Sequence, residues 1–169
     1  DHLYLRNIIR RVSPMNEFDA ACELIQKQLG HDVQISLATC NKDNVSVRIV
    51  DGYYKDGCIY VVTHTSSHKM KQISLNSNVA VCKDLFQGIG KAENLGNPKE
   101  IKKQELAKEL REVFIIFYDR HVDEDDPGTC ILKINLTEAV VFDDNNKYSI
   151  DYLNKTAKRY DFHNDIITI

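Results

Sequence analysis

Between Thr63 and Lys69 the chain reads THTSSHK, a cluster of hydroxyls, imidazoles and one amine that follows the β-rich run CIYVVTH and leads into an amphipathic segment. Thr63, Thr65, Ser66 and Ser67 offer neutral donors, and Lys69 adds a full positive charge. A helix opening near His68 would add its first backbone N–H groups, which have no intrahelical partner and carry the positive end of the helix dipole. Strand, hydroxyl-rich turn and cationic helix start together suit a phosphate. The plainer reading is that Ser66 or Ser67 caps the helix and Lys69 is a solvated surface lysine.

Arg48 is the second residue with a chemical use. It interrupts the apolar strand pattern VSVRIVDGYY, and a long cation in such a place usually has an anionic partner. If the strands form a meander, its strand neighbours the one that ends at Thr63, so guanidinium and helix start can converge on one phosphate. Otherwise Arg48 faces solvent or pairs with a carboxylate such as Glu93. No residue stands out as a catalytic acid, base or nucleophile, so the catalytic residues are unknown; His64, His68 and Lys91 are the available contributors.

Other combinations are poorer. Cys22, Cys40, Cys58, Cys82 and Cys130 are scattered without a C-x-x-C pair, so neither a disulfide frame nor a zinc knuckle is expected, and small buried hydrophobes are. His121, Asp123, Asp125 and Asp126 fall in an acidic loop whose spacing fits no calcium loop, and one histidine makes no zinc site; a solvated turn is expected and no metal.

The elements that must position these residues follow from periodicity. Phe18, Ala21, Cys22, Ile25 and Leu29 recur at helical spacing before Gly30, and VQISLATC then alternates from Val33. In the next strand Val45, Val47 and Ile49 share a face, which puts Arg48 and Val50 on the other. Lys55-Asp56-Gly57 is a hairpin turn into CIYVVTH, completing a three-strand antiparallel meander. After the helix SHKMKQISL come a strand, an irregularity near Asp84 and a strand from Phe86 to Leu95, where Gly88 and Gly90 suggest a bulge, a close approach or a barrel corner. Asn97-Pro98 reads as a helix start, and Leu106, Leu110, Val113, Phe114 and Phe117 keep the helical period, although VFIIFYD also fits a strand. TCILKINLTEAVVFD supplies one long strand or two, and the tail from Tyr148 is short and mixed.

A length of 169 residues suits one domain, with 43% hydrophobic and 28% charged residues as in ordinary globular chains. The net charge of −3 argues against a broad nucleic-acid surface, and no apolar run reaches membrane-spanning length, so no nucleic acid, no membrane and a cytoplasmic location are expected. Residues 1–14 differ from the rest: Arg6, Arg10 and Arg11 flank Ile8 and Ile9 before Ser13-Pro14. They read as a poorly structured leader, a mis-called start or a cloning remnant, with a basic amphipathic arm as the functional alternative. Residues 15–169 form the domain.

VSVRIVD, YVVTHTSSHKMKQI, NVAV and GIGKAENLG, in that order and spacing, resemble the flavin-mononucleotide (FMN)-binding split barrels related to pyridoxamine 5'-phosphate oxidase. The resemblance covers most of the chain after Gly30. It implies an α+β fold, mainly β with flanking helices, built as an antiparallel split β-barrel. It implies that Arg48, Ser67 and Lys69 bind the flavin phosphate, and that Ile49, Val50, Val62 and Thr63 line the ribityl chain and ring. His68 stands where many relatives have arginine, and Gln87 is a candidate polar contact to the ring. It also implies a homodimer with FMN at the subunit interface. The chain lacks tryptophan and ends YDFHNDIITI, so the vitamin-binding end of the oxidase is not recognisable. The expected activity is therefore that of a flavin-dependent oxidoreductase of unknown substrate, not a vitamin B6 oxidase. The alternatives are a non-catalytic flavin carrier or sensor and a haem-binding split barrel, with His64, His68, His121 and His163 as unranked axial candidates.

Overall fold

The computed structural model describes residues 14–163; the leader expectation falls almost wholly outside them. Helix α1 (Glu17–Leu29) is capped by Asn16, whose side chain accepts from the Asp19 amide, and it buries Ala21, Ile25 and Leu29 against the sheet. β1 (Val33–Asn41), β2 (Asn44–Lys55) and β3 (Cys58–His64) form the expected meander. The β2–β3 turn has both Asp56 and Gly57 at positive φ, which suits a tight two-residue hairpin. α2 (His68–Leu75) crosses to β4 (Asn78–Lys83), and Asp84-Leu85 turns the chain into β5 (Phe86–Gly96).

β6 (Thr129–Phe142) is one long strand. Its first half pairs with β3, which closes the order β3-β2-β1-β4-β5-β6 into a six-stranded antiparallel barrel. β7 (Asn146–Asp151) and β8 (Thr156–Asp161) continue the sheet beyond β6, so the tail is an ordered hairpin that sequence patterning did not reveal. Every residue of β8 is exposed or half-buried, which leaves no alternation to read. The glycine question in β5 has a definite answer. The register shifts between Ile89 and Gly90, and a Cβ on Gly90 would stand 2.3 Å from the Asn135 carbonyl oxygen, so another backbone makes the close approach.

One expectation needs correction, and one open choice is settled. Asn97-Pro98 does not start a helix: α3 (Gln104–Val113) begins later, and Pro98–Glu100 form a turn. The buried Asn97 side chain is used elsewhere, donating to the carbonyls of Glu124 and Asp126 and accepting from the Lys99 amide. VFIIFYD is not a strand: Phe114 breaks the helical run, and α4 (Ile115–His121) follows. Phe114, Leu110 and Ala107 pack with Tyr60, Val62 and Ile131 on the outer side of β3 and β6, while Val61, Leu132 and Ile134 fill the barrel. Both faces of β3 are thus covered, which explains its run of apolar residues without alternation.

Candidate functional site

β3, the start of α2 and the end of α4 surround a cavity of about 440 Å³. β2 contributes Ile49, Val50 and Asp51 to its wall, β3 contributes Val62, Thr63 and His64, and the α2 start contributes Ser67 and Lys69. Of the nine residues expected to bind cofactor, the structure therefore brings Ile49, Val50, Val62, Thr63, Ser67 and Lys69 to one place. Ser67 is the N-cap of α2, yet its side chain makes no capping bond, and its buried Oγ has no hydrogen-bond partner among the described residues. A buried hydroxyl without a partner is costly, and it is rare unless a ligand or water completes it.

Lys69 is half-buried and forms no ion pair among the described residues. Burial, reinforced by repulsion from Arg48, holds its ammonium below the ordinary lysine value. Arg48 lies opposite Leu37 in the β1–β2 register and so shares the inward face; it does not pair with Glu93. Its Nη1 donates to the Leu37 carbonyl at 3.1 Å and to Thr39 Oγ1 at 2.7 Å. Thr39, itself buried, passes its own hydrogen to Gln72 Oε1, and Gln72 Nε2 donates to the Asn44 carbonyl. This chain fixes Arg48 beneath α2. Arg48 does not line the cavity, but its charge reaches Lys69.

The other two expected residues lie elsewhere in the single chain. His68 faces a separate groove with Lys71 and Val45. Gln87 lies in a third groove, on the outer sheet face, with Ala38, Val47, Ala80 and Ile89. Outward strand positions explain both the groove and an unexpected surface: Val45, Val47 and Ile49 are 74%, 68% and 60% exposed along one row of β2.

Sequence reasoning named His121 only as an unranked haem candidate and did not foresee the opposite wall of this cavity. Phe117 and His121, from the ambiguous VFIIFYD segment and its end, line the cavity with their rings 5.3 Å apart. The acidic loop is also more than a solvated turn. Asp126 accepts from His64 Nε2 at 3.0 Å, Glu124 takes a two-point contact from Arg111 at 2.8 and 3.1 Å, and Asp125 pairs with Lys99. The Gly128 amide and His64 hold the Asp126 carboxyl below its ordinary range. His64 Nδ1 accepts from the Ser66 amide at 3.1 Å, so the Nε2–H tautomer is the one that satisfies both contacts. Both ring nitrogens are thus engaged. The signal for this loop was carried by Asn97 and Asp126, whose partners are distant in sequence.

No protein-family model matches the chain, and no curated protein matches it. Solved structures do. General Stress Protein 26 from Bacillus anthracis is 21% identical with a TM-score of 0.54, covering 74% of this chain and 92% of its own. A candidate pyridoxamine 5'-phosphate oxidase from Listeria innocua is 16% identical with a TM-score of 0.51, over 68% of this chain and 90% of its own. A FAD-binding protein from Mesorhizobium loti is 15% identical with a TM-score of 0.54, over 70% of this chain and 91% of its own. Identities this low speak of architecture, and the closed six-strand barrel with its flanking helices agrees: this chain has the split β-barrel fold of the pyridoxamine 5'-phosphate oxidase-like structures.

Proposed function

We propose that the chain binds FMN in the cavity between β2, β3, α2 and α4 and works as a flavin-dependent oxidoreductase. The observation that carries this reading is the Ser67 Oγ at the start of α2, which among the described residues has no partner, beside a lysine that has no carboxylate partner among them. A phosphate would complete both, and it would also accept from the free amides of the first helical turn. Arg48 supports that end of the site from beneath with its second charge. The volume of about 440 Å³ falls in the range of small-molecule sites, roughly 300–1,000 Å³.

In this reading Thr63 and the β3 backbone follow the ribityl chain, and Ile49, Val50 and Val62 hold the ring by apolar contact. Phe117 and Val122 shield the opposite side from water. The flavin supplies the hydride or electron transfer, and the protein supplies grip, orientation and exclusion of water. His68 contributes no contact from its separate groove, so the phosphate grip is that of Ser67, Lys69 and Arg48.

The exposed row Val45, Val47 and Ile49 borders both the cavity and the outer groove that holds Gln87. A second copy of the chain on this face would cover the apolar row, and Gln87 would then belong to the contact between copies. The test is direct. Purified protein should be yellow, and denaturation should release FMN that is identified by mass; a colourless protein that neither carries nor takes up FMN contradicts the proposal.

A further inference from the structure

The flavin reading uses Lys69 as a charge, but its surroundings work against that charge whenever no anion is bound. Its ammonium is half-buried, stands within reach of the Arg48 guanidinium and lies in the first turn of α2, at the positive end of the helix. Around it, β2 presents Arg48 and Asp51, β3 ends in His64, α4 presents His121, and β6 presents the Cys130 thiol, which burial pushes up to about 11 and so keeps neutral. No carboxylate among the described residues comes within ion-pair distance of Lys69. A desolvated amine beside another cation is the environment in which lysine acts as a nucleophile toward carbonyls.

We propose that, in the ligand-free chain, Lys69 captures small aldehydes that carry an anionic group, forming an imine inside the cavity that Thr63 and Ser67 also line. The neutral ε-amine adds to the aldehyde carbon, forming the C–N bond and breaking the carbonyl π bond. The resulting carbinolamine loses its oxygen as water together with both amine hydrogens, which leaves the C=N bond. The anionic group has receptors in the Ser67 hydroxyl and the first amides of α2, with the Arg48 charge beneath them. An anion placed there without an aldehyde would strengthen the ammonium and silence the reaction. The inference stands on the cavity and not on flavin binding, although the two ligands would compete.

The test uses the full chain stripped of small molecules, glyoxylate as the probe and cyanoborohydride to reduce the imine to a stable secondary amine. Modified sites are quantified by peptide mass spectrometry, with exposed Lys71 on the same helix as the internal reference. Modification of Lys69 at pH 7 is expected to be at least about tenfold faster than that of Lys71, because only Lys69 stands in the cavity with burial and the Arg48 charge favouring its neutral amine. Propionaldehyde, which lacks the anionic group, is expected to lose most of this selectivity. Equal rates at Lys69 and Lys71 would overturn the proposal. Slowing of Lys69 alone by FMN fits a shared cavity. Fast modification of Lys69 that FMN does not slow would leave the imine site standing and contradict the flavin placement.

Discussion

The His64 imidazole rests directly on the backbone of Gly128, where an added Cβ would fall 2.3 Å from both Cε1 and Nε2. The Thr65 amide donates to the Gly128 carbonyl at 2.8 Å, and Asp126 reaches over to Nε2. The absence of one methyl group therefore lets the acidic loop close on the end of β3. Through this contact the loop between α4 and β6 becomes part of the cavity's frame.

Replacing Gly128 by alanine should displace the imidazole and break its contact with Asp126. Because the obstacle is the tip of a side chain and not backbone, the expected cost is modest, about 1 kcal/mol. Urea unfolding of Gly128→Ala, His64→Ala and the double variant measures it as a cycle. The alanine cost should nearly vanish when His64 is already gone. An undiminished cost would mean that Gly128 matters for some other reason.

Glu109 ties α3 to β2, accepting from Lys55 Nζ at 2.5 Å and from Tyr53 OH at 2.8 Å. The Lys55 contact is the first cause of its lowered pKa, and the Tyr53 phenol is correspondingly pushed up to about 12, with burial as the larger cause. A carboxyl lowered by folding contributes stability above its unfolded value, and that contribution disappears as pH falls through its folded value. Both side chains are partly exposed, at 40% and 31%, so the contribution is up to about 1 kcal/mol. Wild type should exceed Glu109→Gln in stability at pH 7, and the two should converge below about pH 4. A gap that persists in acid would assign the effect to packing.

The exposed row of β2 predicts an oligomer. Val47→Lys keeps a strand residue on the outer face and so should leave the circular dichroism spectrum unchanged. Light scattering should then report one chain for the variant and two for wild type. A wild-type monomer would leave the apolar row without the use proposed for it.

Much of this architecture was legible because its determinants are local. Strict alternation in β1, the apolar positions of α1 and the Asp56-Gly57 turn each specify an element without help from elsewhere. The THTSSHK junction was legible too, since its strand, turn and helix start are consecutive. What escaped depends on distant partners. Asn97 looks like a helix cap until its side chain is seen bonded to the loop at Glu124 and Asp126. Phe117 and His121 sit in a segment whose apolar residues fit either period, and only packing against β3 decides it. Arg48 was singled out as a cation within an apolar strand, but its bond to Thr39 requires the β1–β2 register.

The most direct test compares FMN with riboflavin, which lacks the phosphate, by quenching of flavin fluorescence on titration with wild type and the Arg48→Ala/Lys69→Ala double variant. A charge-assisted grip on the phosphate, about 1.5–3 kcal/mol, predicts that wild type prefers FMN by roughly tenfold or more. The double variant should lose that preference while keeping its fold by circular dichroism. Equal affinity of wild type for the two flavins, or an FMN preference that survives in the double variant, would contradict the assignment of the phosphate to Ser67, Lys69 and Arg48.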